Sequence, residues 1–324
     1  MDLQMTRAFI FPGQGSQAVG MGKALADAFA PARDVFLEVD DALSQNLSRL
    51  MWEGPDADLV LTENAQPAIM AASIAILRVL AKDAGLDPAK HARLVAGHSL
   101  GEYSALCAAG AFTLADTARL LKTRGRAMQS AVPVGEGAMF ALIGAEVALA
   151  EEVSRQAVAD APPTERNPVC VVANDNAPGQ VVISGLKATV ERAGEIAKMK
   201  GVKRALALAV SAPFHCPLMK PAADAMAEAL AAVTILPPAV PVVANVTASQ
   251  TNEPETIRRL LVEQVTGRVC WRESVAGLRS LGIDTTVEFG GNRVLTGMVK
   301  RIDKELSTVT LDSPADVEAF ARTL

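Results

Sequence analysis

Leu94-Val95-Ala96-Gly97-His98-Ser99-Leu100-Gly101-Glu102 sets a Gly-x-Ser-x-Gly pattern between an apolar run and an alanine-rich helical pattern that continues through Leu106. This is the pattern of a nucleophile elbow, a strand-to-helix turn that holds a serine in a strained, exposed position. Gly97 and Gly101 lack a Cβ, so strand and helix can approach closely around the turn. Ser99 then sits at a helix N-terminus, where free N–H groups and the positive dipole end stabilise an oxyanion. Without its context the pattern is only a glycine-bounded turn; the flanking strand and helix favour the elbow.

A serine hydroxyl is inert at neutral pH until a base takes its proton. The chain has three histidines. His91 lies in a charged linker and is expected to be solvated. His98 adjoins Ser99 with its side chain pointing away, so it is expected to pack or to shape the pocket. His215 stands in Val210-Ser211-Ala212-Pro213-Phe214-His215-Cys216-Pro217, a loop fixed by two prolines, and follows the serine in chain order as elbow enzymes require. His215 is therefore the expected base. No third, acidic member declares itself. Asp284 and Glu288 qualify by strand position, and a backbone carbonyl would also orient the imidazole.

Two further places could carry chemistry. Pro12-Gly13-Gln14-Gly15-Ser16-Gln17 follows the strand Ala8–Phe11 and suits close backbone approach, although no Gly-Lys-Ser/Thr makes it a phosphate loop. A helix capped by Thr113, with Asp116 as a variant capping box, turns Leu114, Leu121 and Met128 inward and Arg119, Lys122 and Arg126 outward. Arg124 falls on or beside the apolar face and requires a partner, either a structural carboxylate or a substrate carboxylate gripped bidentately.

The elements that must position these residues read as α/β. Residues 20–81 are helical, with breaks at Gly54-Pro55 and Gln66-Pro67, and Ala68–Leu80 is apolar enough for a buried helix. Arg93–Ala96 suits a strand covered on both faces of a parallel sheet. Ala138–Ile143, Glu146–Ala159, Val169–Ala173, Gln180–Ser184, Lys187–Met199 and Lys203–Leu208 follow in the order βαββαβ, with Asn174–Gly179 as a loop. That order is the split βαβ of a ferredoxin-like subdomain. Helix Pro221–Val233, strand Val240–Asn245, helix Glu255–Gln264, strand Asp284–Phe289 and helix Val294–Ile302 return the chain to the larger domain. The expected division is a discontinuous catalytic domain, 1–134 and 209–324, with the subdomain inserted at 135–208.

With 324 residues the chain can bury a sizeable core, and its formal charge of 31 − 36 = −5 argues against nucleic-acid binding. Four scattered cysteines form no C-x-x-C and read as reduced thiols, with no metal-ligand spacing. No apolar run reaches a membrane span, and the run before Pro12 is too short for a signal peptide, so a cytoplasmic enzyme is expected.

Phe11-Pro12-Gly13-Gln14-Gly15-Ser16-Gln17, Gly97–Glu102, Arg124-Gly125, Ser211–His215 and Val294-Leu295-Thr296-Gly297 occur in that order. Together they resemble the malonyl-CoA:acyl carrier protein transacylase family of fatty-acid synthesis, over about residues 7–302. The resemblance implies an α/β-hydrolase-like core and a ping-pong transfer through a malonyl-serine, with malonyl-CoA as substrate and no cofactor or metal. It implies Ser99 as nucleophile, His215 as base, and the N–H groups of Gln14 and Leu100 as the oxyanion hole. Arg124 would grip the malonyl carboxylate, and the Gln264 carbonyl would orient His215. The family usually has proline where this chain has Gly291, and that loop stays unassigned. Phe214 is similar to the malonyl-preferring members. The implied partner, an acidic acyl carrier protein, would meet Arg119, Lys122 and Arg126, or Lys198, Lys200, Lys203 and Arg204. A monomer is expected.

Competing readings are a serine esterase or thioesterase, a trans-acting acyltransferase of polyketide synthesis, and a non-catalytic acyl-CoA-binding protein. The inward Arg124 disfavours the hydrolase, and Ser99, His215 and Gln14 together disfavour the binding protein.

Overall fold

Phe11 pairs with Gly97 at the ends of two parallel strands, and this register sets the Pro12–Gln17 loop against the elbow. The computed structural model describes residues 6–210 and 212–324; Ser211, one of the residues behind the resemblance, lies outside them. The strands among these residues are β1 (Arg7–Phe11), β2 (Leu94–Gly97), β3 (Gly137–Ile143), β4 (Cys170–Ala177), β5 (Gln180–Leu186), β6 (Arg204–Ala207), β7 (Val242–Ala244), β8 (Ser249–Thr251), β9 (Thr285–Phe289) and β10 (Ser307–Leu311). One sheet runs β10-β9-β1-β2-β7-β8, parallel except for β8 at its edge. The fold is thus α/β, dominated by a parallel sheet.

Alternation along β1 explains why it is apolar throughout. Phe9 and Phe11 face the core that contains Ile69, Ile76 and Leu80 of helix Thr62–Ala84. Ala8 and Ile10 face the other way, onto Trp271, Val275, Leu295 and Val299. A strand buried on both faces has no polar positions to spare. Each large aliphatic side chain so buried contributes about 1.5–3 kcal/mol.

Helix Thr62–Ala84 corrects two expectations. It runs through Gln66-Pro67 without the expected break, because everything from Gln66 to Ile76 is buried and packing outweighs the missing N–H of Pro67. It is also long and apolar enough to cross a membrane by length and composition, contrary to the reading of apolar runs, but 83% of its most apolar window is buried inside the protein. It is the core helix.

The second sheet, β4-β5-β3-β6, is antiparallel, with helices Val147–Ala159 and Lys187–Met199 packed against it. Here Asn174–Ala177, expected as loop, continues β4, leaving Pro178-Gly179 as the turn. Distant partners compensate these polar strand positions: Asp175 pairs with Arg272 at 2.8 Å and Asn176 Oδ1 lies 2.8 Å from His98 Nε2. The backbone of β4 also bonds to Val269, tying this sheet to the segment after helix Pro254–Thr266.

Candidate active site

The elbow is built as tightly as its glycines predict. A Cβ on Gly97 would stand 1.9 Å from the Gly101 carbonyl carbon, and one on Gly101 would stand 2.2 Å from Phe11 O. Ser99 between them has φ 54°, the left-handed region. A non-glycine residue stays there only where its surroundings over-determine it. Helix Gly101–Ala108 starts immediately afterwards, with Leu100 as its N-cap.

Ser99 Oγ and His215 Nε2 are 2.8 Å apart although 116 residues separate them. His215 Nδ1 lies 2.9 Å from the backbone oxygen of Gln264, which fixes the tautomer with Nε2 facing the serine as acceptor. Burial, and then the Arg124 charge, push the imidazole down to about 3, so it is neutral at pH 7. Neither acidic alternative approaches it. Glu288 accepts the Leu295 and Thr296 N–H groups at 2.9 and 2.8 Å and caps helix Val294–Ile302. Asp284 is exposed and takes the Thr285 hydroxyl.

Arg124 is 1% exposed. Its Nη1 donates to Gln66 Oε1 at 2.9 Å and its Nη2 to Gln264 Oε1 at 2.8 Å, while Nη2 is also 3.1 Å from Ser99 Oγ. Both amide oxygens are neutral, and among the described residues no ion pair joins Arg124 to a carboxylate. A buried guanidinium held by neutral hydrogen-bond partners, with the Glu102 carboxylate acting on it only through space, keeps a charge free to meet an anion beside the serine. The N–H groups of Gln14 and Leu100 are not taken by other groups among the described residues, whereas that of Ser99 is, by Asn245 Oδ1 at 2.7 Å. Leu100 therefore supplies the first free N–H of the elbow. A cavity of about 590 Å³ opens onto Gln14, His98, Ser99, Arg124, Phe214 and His215.

His98 packs edge-on against Trp271 and lines the cavity, and burial lowers its pKa. His91 ends a short helix with Nδ1 against the Asp87 backbone. Gly291 has φ 85°, a conformation proline cannot adopt, and lies so close to Pro12 that a Cβ would meet the ring at 2.5 Å. Lys122 corrects the helical phase: it is buried rather than outward, because Asn64 Oδ1 and the Glu63 carboxylate meet its ammonium at 2.8 and 2.9 Å. Arg126 shares Glu63 and Arg119 pairs with Asp116. Lys198 and Lys200 pair with Glu195 and Glu152, leaving Lys203 and Arg204 exposed and unpaired among the described residues.

Sequence reasoning passed over Gln66, Glu102 and Asn245, all buried at this site. Two signals were present. Glu102 is the one charged residue of helix Gly101–Ala108, and Asn245 follows the carboxyl end of a parallel strand, where such sheets place ligands.

The acyl transferase domain family matches residues 8–311. A malonyl CoA-acyl carrier protein transacylase from Bacillus subtilis (strain 168) is 43% identical over 317 residues, covering 98% of this chain and 96% of the relative. The crystal structure of an acyl-carrier-protein-S-malonyltransferase from Bartonella henselae superposes with a TM-score of 0.94 at 52% identity, covering 98% of this chain and 99% of that one. A malonyl-transacylase solved in complex with a type II PKS acyl-carrier protein gives 0.92 at 42%, covering 98% and 99%. The serine elbow at Ser99 and these full-length likenesses lead to one conclusion: the chain belongs to the acyl transferase domain family, among the malonyl CoA-acyl carrier protein transacylases.

Proposed function

We propose that this enzyme moves a malonyl group from malonyl-CoA to the phosphopantetheine thiol of an acyl carrier protein, supplying fatty-acid synthesis. The observation that carries the reading is Arg124 beside the nucleophile: a buried cation whose hydrogen-bond partners among the described residues are neutral, 3.1 Å from Ser99 Oγ. It fits an acyl group that brings its own carboxylate.

Ser99 Oγ attacks the thioester carbonyl carbon while His215 Nε2 takes the hydroxyl proton. The developing oxyanion accepts from the Gln14 and Leu100 N–H groups. The C–S bond then breaks, His215 returns the proton to the sulfur, and coenzyme A leaves a malonyl ester on Ser99. The carrier thiol gives its proton to His215 and attacks that ester, and Ser99 leaves as the hydroxyl. The Gln264 carbonyl holds the imidazole through both halves, and Arg124 holds the carboxylate. No cofactor and no metal take part.

The same reading divides the chain into an α/β-hydrolase-like catalytic domain, 1–134 and 209–324, and an inserted ferredoxin-like subdomain, 135–208. The antiparallel order of β4-β5-β3-β6 supports the second label. The exposed Lys203 and Arg204 support the 198–204 grouping as the receiver of an acidic carrier. The enzyme works as a cytoplasmic monomer.

Intact mass after brief incubation with malonyl-CoA tests the reading. One malonyl group gained, absent in Ser99→Ala and discharged by holo carrier protein, is the expected result. An adduct that only water discharges points to a hydrolase, and no adduct on folded protein overturns the transfer.

A further inference from the structure

Side chains hold both backbone groups of Ser99. Its N–H donates to Asn245 Oδ1 at 2.7 Å, and its carbonyl oxygen accepts from Gln264 Nε2 at 2.9 Å. Asn245 is 1% exposed and uses all four of its hydrogen-bonding groups. Besides Oδ1, its Nδ2 donates to Gly97 O at 2.6 Å, its backbone N–H donates to Glu102 Oε2 at 3.1 Å, and its carbonyl accepts from the Cys270 N–H at 2.8 Å. Its side chain is thereby locked across the elbow, one end on each side of His98.

Glu102 closes the arrangement. The same Oε2 accepts from Gln264 Nε2 at 2.8 Å, so one oxygen from the elbow's own helix ties the end of β7 to helix Pro254–Thr266. Gln264 is the residue whose carbonyl meets His215 Nδ1 and whose Oε1 meets Arg124. Nucleophile, base support and cation are thus joined through Glu102, Asn245 and Gln264. A left-handed serine needs such over-determination, since loss of its side-chain partners lets it relax toward an ordinary φ and swings Oγ away from the imidazole.

We infer that Asn245 and Glu102 are positioning residues of the acyl transfer. Asn245 holds Ser99 in the left-handed conformation that aims Oγ at His215, and Glu102 fixes Asn245 and Gln264 relative to each other. The inference rests on Ser99 being the nucleophile.

The test is the time course of Ser99 malonylation followed by rapid-quench intact mass, without carrier protein. In Asn245→Ala the rate should fall about 100-fold, the scale of a displacement of about 1 Å at a reacting centre. The amplitude should stay at one malonyl per chain, with KM for malonyl-CoA within about threefold of the parent enzyme. A reduced amplitude at an unchanged rate marks a mere folding role and overturns the inference, as does an unchanged rate. Should Asn245→Ala fail to fold, the Glu102 pair decides. Glu102→Gln keeps an acceptor oxygen and should stay within about tenfold, while Glu102→Leu, with no acceptor, should lose about 100-fold. Equal losses in both overturn the acceptor role. If the parent enzyme itself takes no malonyl group, the underlying functional reading fails instead.

Discussion

Nη2 of Arg124 lies 3.1 Å from Oγ of Ser99, so the proposed nucleophile and a buried cation with neutral hydrogen-bond partners share a single approach. In the proposed reaction, the malonyl group carried on Ser99 presents its carboxylate to that guanidinium. The neutral amides of Gln66 and Gln264 orient the fork without cancelling its charge.

Arg124→Ala should therefore separate malonyl from acetyl transfer. Losing a desolvated charge contact of about 3 kcal/mol lowers kcat/KM for malonyl-CoA about 100-fold. Acetyl-CoA has no carboxylate to lose, so its kcat/KM should fall far less, and competition between the two substrates reads the change in selectivity. Equal losses for both would remove the carboxylate role.

The pH profile follows from His215. With the imidazole pushed down to about 3, it is already the free base throughout the neutral range. The acylation rate should show no acid-side inflection near 6.5, the ordinary histidine value. Burial is the larger cause and the Arg124 charge the second, so Arg124→Ala should move the inflection upward. Stability has a definite sign as well. Between about 3 and 6.5 only the unfolded chain binds the proton, so this histidine costs stability as pH falls through that window. His215→Asn, which tolerates the φ of 57°, should lose less stability than the parent between pH 7 and pH 4.5 in urea titrations. Glu102, raised to about 7, works in the opposite direction in both proteins and cancels in the comparison.

Much of this site was legible because its signals are local or few. Ser99 announces itself through glycines whose Cβ atoms would overlap backbone, and His215 is one of three histidines. The misreadings share one cause, a partner far along the chain. Lys122 reads as solvated until Asn64 and Glu63 come up beside it. Asn174–Asn176 reads as loop until Arg272 donates to Asp175 and His98 meets Asn176. Pro67 reads as a break until a core closes around it. Asn245 was hidden for the same reason: its four bonds reach residues 25 to 148 positions away, apart from any local pattern.

Gly97→Ala probes the elbow by sterics alone. The new methyl would overlap the Gly101 backbone, which cannot move without shifting the helix that follows. The expected cost is about 3 kcal/mol, the upper range for overpacking, visible as a lowered urea midpoint at unchanged m. A midpoint equal to the parent's would mean that the strand and helix have room the geometry denies them.

Gln14→Ala separates backbone from side chain at the oxyanion hole. The side chain's polar contact is a 3.4 Å approach of Nε2 to Thr62 Oγ1, too long to fix the loop. The proposed donor is the N–H, which alanine retains. Acylation should stay within about tenfold of the parent, against the 100- to 1,000-fold typical of a deleted oxyanion donor. Single-turnover malonylation at saturating malonyl-CoA measures this directly. A fall of about 1,000-fold would show that the amide side chain stabilises the tetrahedral intermediate, and the loop would then act through Gln14 itself rather than through its main chain.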